Sequence, residues 1–124
     1  MQGQMQTYRG SCHCGAVTFE ARTTLAPAMR CNCSLCRRKG AVMASVAPED
    51  FKLLSGEDQL TLYQFNTKTA KHYFCKHCGI YTFHRPRTNP NIYRVNVGCL
   101  DGVDPFALEV GVNDGAALST VKED

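Results

Sequence analysis

No apolar run in the 124-residue chain approaches the roughly 20 residues a helix needs to cross a bilayer, so no membrane partner is expected. The opening Met1-Gln2-Gly3-Gln4-Met5-Gln6 lacks both a basic start and an apolar stretch, so no secretory signal is predicted and a reducing, cytoplasmic setting is expected. A large excess of one charge sign is missing too. Lys and Arg number 14 against 11 Asp and Glu, a formal net charge of +3, which falls short of the concentrated basic face that nucleic acid binding requires. Charged residues make up 20% and apolar residues 44%, so the chain is not disordered and fits one domain with a modest core.

What the chain does have is cysteine, eight in all. Seven fall into three tight groups: Cys12 and Cys14 between Gly10 and Gly15, then Cys31, Cys33 and Cys36, then Cys75 and Cys78 followed by Gly79. Such spacing suits metal ligation better than a framework of disulfides bridging distant loops. Cys31-Asn32-Cys33-Ser34-Leu35-Cys36 lets three thiolates converge, because alternate residues of extended backbone project alike and the last pair spans a tight turn. Thiolate ligands select zinc, and three protein ligands with one open position is the catalytic arrangement; the competing reading is a structural site with a fourth ligand elsewhere. Cys75-Lys76-His77-Cys78-Gly79 reads as a zinc knuckle whose glycine takes a conformation other residues resist. Paired with Cys12 and Cys14 it would form a closed site tying the N-terminal segment to the middle of the sheet. A redox pair is the alternative, but no βαβ pattern surrounds it. With two zinc ions on seven thiolates the formal charge would drop to about zero.

Periodicity predicts a β-rich scaffold. Val17, Phe19 and Ala21 alternate with Thr18, Glu20 and Arg22, and Ala41 to Val46, Phe51 to Leu54, Leu60 to Phe65, Tyr81 to His84 and Ile92 to Gly98 read as further extended segments of an antiparallel meander. Ser34 is the predicted N-cap of a short helical turn through Lys39, ended by Gly40. Turns are expected at Pro48-Glu49-Asp50 and Asn66-Thr67, and a last strand over Pro105 to Val110. The domain is expected to span 8–110, with 1–7 and 111–124 loosely held. Arg37, Arg38 and Lys39 either form a solvated face or receive an anionic substrate's carboxylates. His84 is a candidate proton carrier and Arg85 and Arg87 are candidate carboxylate clamps; Cys99 reads as a small buried thiol, and His13 points away from the thiols beside it.

Gly10-Ser11-Cys12-His13-Cys14-Gly15, Cys31-Asn32-Cys33-Ser34-Leu35-Cys36, Phe74-Cys75-Lys76-His77-Cys78-Gly79 and Val95-Asn96-Val97-Gly98-Cys99-Leu100-Asp101-Gly102 stand in an order that resembles the glutathione-dependent formaldehyde-activating enzyme family, whose domain also occurs in centromere protein V. The resemblance implies a mainly β, Mss4-like zinc-stabilised antiparallel fold with short helical turns. It implies a structural zinc at Cys12, Cys14, Cys75 and Cys78 and a catalytic zinc at Cys31, Cys33 and Cys36, two per chain. The implied activity is that of a carbon–sulfur lyase-type enzyme joining a thiol such as glutathione to formaldehyde or a related electrophile. A zinc hydrolase acting on a small imine and a non-catalytic zinc-stabilised interaction module are the alternatives.

Overall fold

Residues 5–65, 68–86 and 89–113 are described by a computed structural model, so the expected turn at Asn66-Thr67, Arg87, and the tail from 114 onward lie outside the described residues. Among the described residues ten strands make two sheets. β1 (Gln6–Ser11), β2 (Thr18–Thr23) and β5 (Phe51–Ser55) form a small antiparallel sheet in the order β1-β2-β5. The larger sheet adds β3 (Ala28–Cys31), β4 (Met43–Val46), β6 (Leu60–Tyr63), β7 (Lys71–Cys75), β8 (Tyr81–Arg85), β9 (Tyr93–Asn96) and β10 (Val110–Asn113), ordered β10-β3-β4-β9-β8-β7-β6. One α-helix among the described residues, α1 (Ser34–Lys39), sits between β3 and β4.

The alternation around Phe19 does what its period dictates: Val17, Phe19 and Ala21 are all fully buried while Glu20 and Arg22 face solvent. Phe19 meets Phe51 at 5.6 Å and Phe83 at 6.2 Å between ring centroids, and Phe51 in turn stacks on Tyr93 at 4.3 Å. This aromatic column joins the two sheets, with Ala44, Val46, Val95 and Val97 filling the space around it. Full burial of a side chain such as Phe19 contributes about 1.5–3 kcal/mol. Gly10 lies opposite Phe19 in the β1–β2 register, and a Cβ there would stand 2.3 Å from the Phe19 ring, so only glycine lets the ring lie across β1.

Several expectations change in the structure. β1 has no clean alternation in burial, and it starts before residue 8 because its ladder to β2 runs from Gln6 to Ser11. The segment Pro105 to Val110 is not a strand: Pro105–Ala107 is a 3-10 turn, capped by the Asp104 carboxylate accepting from the Phe106 N–H at 3.0 Å, and the strand β10 follows it. β10 runs parallel to β3, the one departure from antiparallel pairing among the described strands, and it carries ordered backbone past residue 110. β9 ends at Asn96, where its side chain accepts from Gly98 N–H and turns Val97–Cys99 into a 3-10 turn. No helix among the described residues is long and apolar enough to cross a membrane.

Candidate metal centres and an adjoining cavity

Cys12 and Cys14 sit in the turn after β1, while Cys75 ends β7 and Cys78 lies in the turn between β7 and β8. Both are tight backbone turns. Cys12 N–H donates to Val17 O at 3.0 Å, Cys75 N–H to Ile80 O at 3.0 Å and Gly79 N–H to Cys75 O at 2.8 Å. Gly79 has a φ of +76°, the left-handed conformation that closes the knuckle and that a side chain would strain. The turns face each other, so all four sulfurs lie within 4.8 Å of one another, with Cys14 Sγ 3.7 Å from both Cys12 Sγ and Cys75 Sγ. A tetrahedral ion with bonds of about 2.3 Å to sulfur needs sulfur–sulfur edges of about 3.8 Å, so the quartet has the dimensions a zinc ion takes.

Backbone amides prepare these sulfurs for negative charge. Val17 N–H donates to Cys12 Sγ at 3.3 Å and His77 N–H to Cys75 Sγ at 3.4 Å. Burial raises the Cys12 thiol pKa, but the Val17 amide and the Cys14 and Cys75 sulfurs outweigh it and the net shift is downward. Burial likewise opposes ionisation of Cys78, yet the Ile80 and Cys14 amides and the neighbouring sulfurs bring it down to about 6. For Cys14 the Ala16 amide pulls down, while burial and three sulfurs push up, to about 11. Four thiolates repel when nothing cationic lies between them, so their protons separate; a divalent ion removes that conflict. His13 is exposed and outside the quartet.

Cys31, Cys33 and Cys36 converge separately, also within 4.8 Å, with Cys33 and Cys36 buried and Cys31 partly exposed. Cys31 ends β3. Cys33, not Ser34, is the N-cap of α1: its Sγ accepts from Cys36 N–H at 3.4 Å, because placing the cap one residue earlier lets the thiol itself satisfy an end amide. Gly40 closes the helix in the left-handed conformation, as its place in the sequence predicts. The Cys31 and Cys33 sulfurs, then burial, push the Cys36 thiol strongly upward, with the Lys39 charge opposing. This is again the signature of thiols gathered for a cation. Among the described residues no fourth His, Cys, Asp or Glu joins the three.

The basic run divides. Arg37 and Arg38 are exposed, Arg38 donating to Ser34 O at 2.6 Å, whereas Lys39 turns inward and holds its Nζ 3.5 Å from the centroid of the Tyr81 ring. The Tyr81 hydroxyl lies 2.8 Å from His72 Nδ1 and 2.6 Å from His84 Nδ1. A hydroxyl has one proton, so one ring nitrogen donates to it and the other accepts from it. His84 is buried; burial first, then the charges of Lys39, His72 and Arg94, lower its pKa well below the ordinary value and keep the ring neutral. Arg85, the candidate clamp, does not line the cavity at the C-terminal end of α1: its Nε donates to Pro90 O at 2.9 Å and its guanidinium lies 4.6 Å over the Tyr93 ring. Cys99 is the buried small thiol expected, donating to Tyr81 O at 3.6 Å and, chiefly through burial, raised to about 12.

A cavity of about 620 Å³ opens at the C-terminal end of α1, lined by Arg30, Lys39, Gly40, Ile80, Tyr81, Phe106 and others. Of these, Tyr81 and Phe106 carry no signal in the sequence pattern. The one signal for Arg30 is its place directly before Cys31.

A mainly β, Mss4-like fold built round two convergent thiol clusters, one of four sulfurs and one of three, defines a protein whose cysteines could hold metal ions. The comparisons with known proteins make the class specific. The family model described as glutathione-dependent formaldehyde-activating enzyme matches residues 7–112, and the chain belongs to that family. A Halomonas elongata protein carrying that family's enzyme name provisionally is 32% identical over 79 residues, covering 56% of this chain. The chain spans about half the length of this curated relative, 50%. A Rhodobacter sphaeroides protein of known crystal structure superposes with a TM-score of 0.82 at 51% identity, covering 85% of this chain and 99% of that one.

Proposed function

We propose that this chain is a cytoplasmic zinc enzyme of one domain that joins a thiol, glutathione or a similar one, to formaldehyde or a related small electrophile, a carbon–sulfur lyase in its reverse sense. The observation that carries the reading is the difference between the two clusters: four sulfurs complete a tetrahedron at Cys12, Cys14, Cys75 and Cys78, while Cys31, Cys33 and Cys36 offer three. Family membership over residues 7–112 supports the same assignment.

A zinc ion held by Cys31, Cys33 and Cys36 would supply Lewis acidity, lowering the pKa of a substrate thiol so that it reacts as thiolate near neutral pH. The chain's own residues do the rest. The Cys36 amide, donating to Cys33 Sγ, orients that ligand and damps its charge. Lys39 places positive charge near Cys36 and over Tyr81, where an oxyanion forming beside the thiol is stabilised. The reaction forms one S–C bond and breaks the carbonyl π bond, and the proton lost from sulfur equals the proton gained by oxygen. His84 is too enclosed to meet substrate itself, so it carries protons by way of the Tyr81 hydroxyl.

The test is zinc content per chain after purification under reducing conditions, followed by zinc release to a chelator as glutathione is added, and adduct formation from glutathione and formaldehyde against the spontaneous rate. Two zincs, one labile and protected by glutathione, together with adduct formation above background, are expected. Two inert zincs, or no acceleration over background, would overturn the reading.

A further inference from the structure

The cavity at the end of α1 has a chemistry of its own. Its charged side chains, Arg30 and Lys39, are both cationic, and no carboxylate lines it among the described residues. They differ in reach. Lys39 Nζ is buried against the Tyr81 ring and contributes field, whereas Arg30 is exposed and lines the cavity, with Nη2 on Gly40 O at 3.3 Å and further guanidinium donors besides. The lining also includes the apolar side chains of Val42, Ile80, Leu108 and Val110. Phe106, 96% exposed, lines the cavity from a 3-10 turn whose backbone is capped by the Asp104 carboxylate. A fully solvated aromatic ring beside a cationic cleft is surface that a ligand with an apolar body covers with gain.

We propose that this cavity binds a small organic carboxylate with an apolar body and no ammonium beside the carboxylate, its carboxylate on Arg30 and its body against Phe106 and Ile80. A zwitterionic head would set its ammonium against two cations with no acidic partner, so free amino acids, whose ammonium adjoins the carboxylate, are disfavoured. Lys39 and Gly40 line the cavity one turn beyond Cys36, so a bound anion is held next to the three-thiol cluster. The inference goes beyond the proposed function, and the binding does not depend on that reaction.

The experiment is a ¹H–¹⁵N NMR titration of the zinc-loaded chain with 3-phenylpropionate, 3-phenylpropionamide and phenylalanine. Saturable shifts of the Gly40, Gly79, Gly98 and Phe106 amides are expected with the carboxylate, with about tenfold weaker binding of the amide and of phenylalanine. Arg30→Gln should abolish the preference for carboxylate over amide, and Phe106→Ser should weaken both alike. Equal affinity for all three probes, tighter binding of phenylalanine, or shifts confined to other surfaces would overturn the proposal. Repeating the titration on Cys33→Ser separates the two readings. Carboxylate binding that persists there, while the wild-type chain shows no thiol chemistry, sinks the enzyme reading alone; a functioning thiol enzyme whose cavity ignores carboxylates sinks the present one alone.

Discussion

Cys33 and Cys75 are both wholly buried thiols, and their substitution should have opposite consequences. Serine is itself a strong N-cap, so Cys33→Ser keeps the α1 end amide satisfied while removing one of three sulfurs. Loss of the labile zinc and at least about a hundredfold drop in adduct formation is expected, with the far-ultraviolet circular dichroism unchanged; the magnitude follows that of removing one electrostatic stabiliser of a reacting group. Cys75→Ser should leave the chain largely unfolded at 25 °C, since structural zinc contributes folding free energy directly. His84 gives a second prediction. Its folded-state pKa lies below the ordinary value, so the folded chain resists a proton that the unfolded chain accepts. Stability is therefore full above about pH 6.5 and falls as pH drops through that value, with a slope of at most about 1.4 kcal/mol per pH unit from this group. His84→Gln should flatten the difference in melting temperature between pH 7.5 and 5.5. Other groups titrating in this range are shared by both chains, so an unchanged slope would assign the pH dependence to them.

At the scale of elements, the β1–β2 pair depends on a glycine facing a phenylalanine. Adding a methyl group at Gly10 drives a Cβ into the Phe19 ring at 2.3 Å, and Phe19 is itself wedged against Phe51 and Phe83 and has nowhere to retreat. Gly10→Ala should cost about 1–3 kcal/mol, read from urea denaturation midpoints at constant m-value. Helix α1 shows how a short element is made to hold. Its six residues are too few for intrinsic stability, and it persists through the Cys33 and Gly40 caps, the basic residues in its last turn and the inward Lys39. The same economy positions the cavity, because the residue that ends α1 also lines it.

Across the whole molecule, the sulfur quartet joins what the backbone leaves apart. Cys12 and Cys14 follow β1 in the small sheet, and Cys75 and Cys78 flank the β7–β8 turn in the large one, so an ion there ties the sheets at one end as the Phe19 column does in the middle. Metal removal should then proceed in two stages. A moderate chelator should extract one zinc from the three-thiol cluster with the melting temperature nearly unchanged, and a strong one the second with cooperative loss of the β-sheet signal; simultaneous release and unfolding would mean that both ions hold the fold.

Spacing along the chain was enough to mark the thiols, because a turn of two or three residues brings neighbouring sulfurs together whatever surrounds it. Periodicity was enough for β2 and the extent of α1, where burial on one face or a terminal glycine repeats a local rule. The meeting of Cys12 and Cys14 with Cys75 and Cys78 was expected from the motifs, whereas β10 lying parallel to β3 and the meeting of Lys39 with Tyr81 depend on contacts between residues tens of positions apart. No local pattern carries these. The cap position slid from Ser34 to Cys33 for the same reason: both side chains can accept from an end amide, and the fold selects the one whose partner thiols converge behind it. The chain's residues by themselves determined which atoms are available to bind a soft cation and how their motifs group into four and three; only the tertiary structure decided that the three lie beside a cationic cavity, because that placement is set by which sheet edges and helix ends the core brings into register.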